Sequence, residues 1–122
     1  MLRTGVDLVE INRIQGTVDR YGDRFLKRVY TQQELAEVGS NYASLAARFA
    51  AKEAVSKALG TGIGTIAWQE IEIRRGAARQ PILHLSGTAQ ELADTLGLKE
   101  WSLSLSHSAF LAIAFVVAWG DN

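Results

Sequence analysis

The sequence predicts an α+β fold, a single domain in which a mostly antiparallel sheet packs against helices, and three observations predict it. Strand-like and helix-like stretches follow one another without the regular strand-helix repeat of a parallel sheet. A long alanine-rich and leucine-rich segment stops at Gly60. Near the C-terminus, two strand-like runs flank a short turn.

Taken in order, residues 2–9 are largely apolar and read as a strand that hands over to a helix near Glu10 or Ile11, so Asp7 falls near the strand's end. Over 11–30, Ile11, Ile14, Val18, Phe25 and Val29 recur at roughly helical spacing, with Gly22-Asp23 as a break and four arginines, Arg13, Arg20, Arg24 and Arg28, on the polar side. Thr31-Gln32-Gln33-Glu34 has capping-box spacing and announces a short helix. Residues 43–59 are rich in side chains that lose little entropy in a helix, and Gly60 supplies the stop. Residues 66–74 alternate in strand fashion and 82–85 form a second short strand, which together make a hairpin. Residues 87–96 read as a helix closed by Gly97, and 101–106 and 110–119 as the last two strands around His107-Ser108. The 110–119 run is apolar throughout and suits burial on both faces, in a subunit core or in the chain's own.

The 122 residues, 48% apolar and with one proline, fit one domain spanning 1–122. Thirteen basic and thirteen acidic side chains cancel, so no global field recruits nucleic acid or an anionic membrane. Without cysteine there are no disulfides, thiolate metal sites or cysteine nucleophiles, and the cytoplasm is the expected compartment. No secretory signal core is present at the start, and the C-terminal apolar run is too short to span a bilayer as a helix.

Chemistry-bearing residues concentrate on the long helix and the first strand. Glu53 and Lys57 lie one turn apart, which alone describes an ordinary surface ion pair. Gly60-Thr61-Gly62-Ile63-Gly64 lets backbone N–H groups approach an anion, although the same residues serve equally as a helix C-cap. Asp7 and Glu53 would give a hard cation such as Mg²⁺ two oxygen ligands and leave other positions to water and a phosphate; Asp7 could instead cap the following helix. Lys57 could neutralise a leaving phosphate. His107 follows an alternating serine run in a turn, where it donates to a phosphate or is simply solvated.

These segments resemble the holo-(acyl carrier protein) synthase family, the short single-domain type of 4'-phosphopantetheinyl transferase. The resemblance rests on Gly5-Val6-Asp7-Leu8-Val9-Glu10 with Ile11-Asn12-Arg13-Ile14, on Arg48-Phe49-Ala50-Ala51-Lys52-Glu53-Ala54 with Lys57-Ala58, on Gly60-Thr61-Gly62-Ile63 and on Ser104-Leu105-Ser106-His107. It implies Mg²⁺-dependent transfer of the 4'-phosphopantetheine of coenzyme A to a serine of an apo carrier protein, with release of 3',5'-ADP, in fatty acid or other lipid biosynthesis. It further implies Asp7 and Glu53 as metal ligands, and Asp7, Glu53 and Lys57 as the catalytic set. Arg48, Lys57, Gly60, Thr61, Gly62, Pro81, Ser106 and His107 would hold coenzyme A. An acidic carrier protein would dock on Arg13, Arg20, Arg24, Phe25 and Arg28, and the chain would form a homotrimer with active sites at subunit boundaries. Thr17 departs from the family's pattern, being polar where an apolar contact is usual.

Overall fold

The computed structural model describes residues 1–121. Strand β1 (Leu2–Glu10) leads directly into helix α1 (Ile11–Tyr21), followed by α2 (Asp23–Val29), α3 (Gln32–Val38) and the long α4 (Tyr42–Leu59). A 3₁₀ turn over Trp68–Glu70 precedes the hairpin β2 (Ile71–Arg75) and β3 (Pro81–Leu85), then come α5 (Gly87–Thr95), β4 (Glu100–His107) and β5 (Leu111–Trp119). The strands form a three-stranded sheet in the order β1-β5-β4 and the two-stranded β2-β3 sheet, every pairing antiparallel. The expected α+β class is the one observed.

Local chemistry sets the boundaries. Gly22 breaks α1 from α2 by taking φ 55°, with its N–H still bonded to Val18 O at 2.7 Å. The capping box before α3 is formed as expected: Thr31 Oγ1 accepts from the Glu34 N–H, and Glu34 Oε1 accepts from the Thr31 N–H. Asn41 caps α4 through Ser44, and Gly60, left-handed at φ 86°, ends it.

Helix α4 is the centre of the molecule. Its buried residues lie on all sides of the helix, because the sheet lies along one flank while α1 and the β2 region lie along others. Ala46, Ala50, Ala54 and Ala58 of α4 and Ala112, Ala114 and Ala118 of β5 are all buried, and such short side chains let helix and sheet approach closely. The approach is tightest at Gly5: a Cβ there would stand 1.9 Å from Ala54 O, so only glycine lets β1 lie where it does.

Two expectations shift. The stretch 66–74 is not one strand, since the Glu70 carboxylate accepts from the Ala67 and Thr88 N–H groups and folds 67–70 into the 3₁₀ turn, leaving Ile71–Arg75 as strand. His107 belongs to the end of β4, and the turn is made by Ser108, whose Oγ accepts from the Phe110 and Leu111 N–H groups. β5 is also buried on one face only within the chain. Ala112, Ala114, Val116 and Ala118 point inward, while Leu111, Ile113, Phe115 and Trp119 join Leu2, Val6 and Leu8 of β1 on an exposed apolar face. Among the described residues, no helix is long and apolar enough to cross a membrane.

Candidate active site

Gly5 brings β1 against Ala54, and positions close to that contact carry the charged groups. Asp7, two residues along the same inward face of β1, and Glu53, next to Ala54 on α4, thus sit on opposite sides of one narrow seam. Lys57, one turn further along α4, reaches across the seam rather than along its own helix. Its Nζ lies 3.0 Å from Asp7 Oδ1 and donates a second bond of 3.0 Å to the Val6 carbonyl. The local Glu53–Lys57 surface pair gives way to a contact spanning fifty residues of sequence.

Capping is likewise not what Asp7 does, for Glu10 stands at the N-cap of α1 and no side chain caps that helix. The Glu53 carboxyl titrates above the ordinary glutamate range because burial disfavours its charge and Asp7 repels it, against the opposing pull of Lys57 and Arg13. The two carboxylates therefore sense each other electrostatically, an arrangement that a divalent cation would relieve.

The glycine loop takes its C-cap role here. The N–H groups of Gly60, Thr61 and Gly62 all turn back onto Ser56 O, at 3.0, 3.2 and 3.3 Å, and Arg3 adds a bond to Ala58 O. The loop nevertheless begins three residues beyond Lys57, at the same end of α4.

The other residues expected to hold coenzyme A gather elsewhere. Arg48, Pro81, Ser106 and His107 line one cavity of about 220 Å³, a set that does not include Asp7, Glu53 or Lys57. Arg48 forms the back wall, with 7% of its side chain exposed, held by Glu37 Oε1 at 2.9 Å and Ile73 O at 2.8 Å. The sequence reading missed that Arg74, Arg75 and Arg79 of the hairpin also line this cavity, making it strongly cationic. The signal was available: three arginines lie within six residues around a turn.

The expected docking residues divide similarly. Arg24, Phe25 and Arg28 line a hollow of about 440 Å³ with Thr17 and Tyr21, while Arg20 stacks its guanidinium over the Tyr21 ring at 5.3 Å. Thr17 Oγ1 is satisfied within its own helix by Arg13 O at 2.8 Å. Arg13 lies outside the hollow and close enough to Glu53 to pull its carboxyl toward ionisation.

Fold and site together define a small α+β protein whose acidic seam, between a strand and a central helix, is answered by a lysine and flanked by arginine-rich surfaces. Residues 3–115 match the model of the 4'-phosphopantetheinyl transferase superfamily. A holo-(acyl-carrier-protein) synthase of Herpetosiphon aurantiacus is 50% identical over 98% of this chain and 100% of its own length. Among solved structures, the Helicobacter pylori holo-(acyl-carrier-protein) synthase in complex with coenzyme A superposes with a TM-score of 0.88 at 37% identity, covering 95% of this chain and 99% of that one. The Neisseria meningitidis holo-(acyl-carrier-protein) synthase gives 0.87 at 36% identity, covering 96% and 97%. The chain belongs to the 4'-phosphopantetheinyl transferase superfamily and, within it, to the holo-(acyl-carrier-protein) synthase enzymes.

Proposed function

We propose that the chain, acting as one transferase domain over residues 1–122, moves the 4'-phosphopantetheine of coenzyme A onto a serine hydroxyl of an acidic apo acyl carrier protein and releases 3',5'-ADP. The observation that carries this reading is the seam itself: Asp7 and Glu53 across from each other, with the Lys57 ammonium at 3.0 Å from Asp7. The donors are hard oxygens. Lys57 already rests between a carboxylate and a carbonyl, so the seam accommodates a cation, and the residues fit Mg²⁺, which needs only one or two protein carboxylates beside water and substrate phosphate. Asp7 and Glu53 would hold it. When bound, the metal supplies charge neutralisation on the pyrophosphate.

The chain's own residues do the rest. The serine oxygen attacks the β-phosphorus in line, an O–P bond forms, and the bond from that phosphorus to the oxygen of the α-phosphate breaks, leaving 3',5'-ADP. Lys57 meets the charge that builds on the departing oxygen. The serine proton passes through water to Glu53, or to a carboxylate of the carrier protein. Gly60, Thr61 and Gly62 follow Lys57 at the end of α4 and help hold the phosphates of coenzyme A, while Arg48, Pro81, Ser106 and His107 line the cavity offered to its nucleotide end.

Because that cavity and the seam are separate parts of one chain, the reading includes a homotrimer in which one copy's cavity faces a neighbour's seam. The exposed face of Leu2, Val6, Leu8, Ile113, Phe115 and Trp119 supports association, since apolar surface of this extent is normally covered. The basic hollow beside Phe25 supports docking of an acidic carrier.

The deciding experiment incubates the protein with apo carrier protein, coenzyme A and Mg²⁺ and weighs the carrier by mass spectrometry. Gain of one phosphopantetheine per carrier is expected; no gain on carriers of either fatty acid or polyketide type overturns the reading. Mixing Glu53→Gln and His107→Ala chains should restore transfer if the site is shared between copies.

A further inference from the structure

A helix that places glutamate one turn before lysine gives that lysine a ready local partner. Lys57 takes another. Its ammonium is committed to Asp7 Oδ1 and to the Val6 main-chain oxygen, both on β1 and both at 3.0 Å. Asp7 is the less exposed partner, with 18% of its side chain accessible against 51% for Lys57, so the carboxylate is fixed in the seam and the lysine stem is the part free to move. The loop that follows α4 is open as well: a Cβ added at Gly62 or Gly64 would meet nothing within 4 Å.

We propose that Lys57 is an internal counter-cation of the metal seam, and that a divalent ion gains Asp7 only as Lys57 lets go. A half-exposed ion pair is held weakly enough to be exchanged, unlike one sealed in the core. The pyrophosphate of coenzyme A then offers the released ammonium a more highly charged partner than Asp7. Metal and coenzyme therefore bind as a linked pair, each tightening the other by the same factor, because coupling between two binding equilibria is reciprocal. In the absence of coenzyme, the seam discriminates against metal through its own lysine. This inference rests on the transferase reading of the same seam and adds an order to its occupation.

The test titrates Mn²⁺ into the full chain, without coenzyme A, and follows free ion by electron paramagnetic resonance. Lys57→Met should bind Mn²⁺ about tenfold tighter than the parent chain, and coenzyme A should then tighten Mn²⁺ by a smaller factor than it does in the parent. Arg13→Gln removes a like charge from the neighbourhood without touching Asp7, and solvent screening should keep its effect within about twofold. Equal shifts in the two variants, or no gain in Lys57→Met, would overturn the proposal. Should Lys57→Met fail to fold, the parent protein answers by nuclear magnetic resonance. The Lys57 side-chain signals should move on addition of Mg²⁺ alone, and signals that stay in place would refute the exchange. Failure here is separable from failure of the transferase reading, which the carrier mass assay on the parent chain decides independently.

Discussion

Helix α4 carries two lysines five residues apart, each answered by a carboxylate, and the fold treats them in opposite ways. Lys52 is fully buried. Its ammonium donates to Glu34 Oε1 at 2.8 Å, Trp68 O at 3.1 Å and Ile71 O at 2.5 Å, which accounts for all three of its protons. Glu34 in turn accepts from the Thr31 and Ile73 N–H groups, so the pair ties α4 to α3 and β2. Burial pulls the Lys52 ammonium below the ordinary lysine range, opposed by Glu34. Lys57, half-exposed, has a partner it can leave. The same two functional groups make a joint where every donor is satisfied in the core, and a moving part where water reaches them.

The largest effect that could break this contrast is on stability. Lys52→Met strands Glu34 in the core and should cost about 3–5 kcal/mol in a chemical denaturation curve. Replacing both, as Lys52→Met with Glu34→Leu, should recover much of that loss, because it is the unpaired charge that is expensive. Lys57→Met should cost no more than about 1 kcal/mol in the same experiment. Similar losses for the two lysines would erase the distinction.

Next comes activity. Lys57→Met and Glu53→Gln should each lower kcat for phosphopantetheine transfer by about 10²–10³, measured as holo carrier formed, while melting within a few degrees of the parent. A folded Glu53→Gln chain with near-normal turnover at limiting Mg²⁺ would remove Glu53 from the seam.

A third prediction concerns pH. Since the Glu53 carboxyl is held up by burial and by Asp7, protons compete for it at higher pH than for an ordinary glutamate. Mg²⁺ affinity should therefore begin to fall, as the solution is acidified, before ordinary carboxylates titrate. Lowering the pH should also relieve the repulsion, so this residue favours folding below its unfolded value and loses that contribution as pH rises through the raised folded one. Titration of Mn²⁺ affinity against pH reads the first effect directly.

The smallest expected effect is at the docking hollow. Arg24→Glu should raise KM for the carrier several-fold, as rim charges chiefly alter encounter, and leave KM for coenzyme A in place. Equal changes in both would point to a folding defect.

Much of this contrast was hidden in the sequence, for a definite reason. Arg48 and Lys52 fall one turn apart and look like a polar stripe, yet both are buried, because α4 is covered on the sides they face and the two charges are met by Glu37 and Glu34 from α3. Helical periodicity separates faces only where one face meets water. The partner of Lys57 was invisible for the same class of reason: spacing reports neighbours along a helix, and Asp7 arrives from another element. What was legible was local chemistry, such as the Thr31 capping box, the Gly22 break and the Gly60 stop. The seam residues were legible as a motif, while their geometry depended on how closely β1 could lie against α4.

That closeness has a consequence of its own. At Gly5 and Ala54 the strand and helix meet main chain against main chain, with no rotamer between them to adjust. The gauge of the seam is thus a backbone dimension. At this crossing no side chain can turn to take up slack, and an added methyl must move a whole element. The placing of Asp7 against Glu53 therefore rests on a position that has to stay empty.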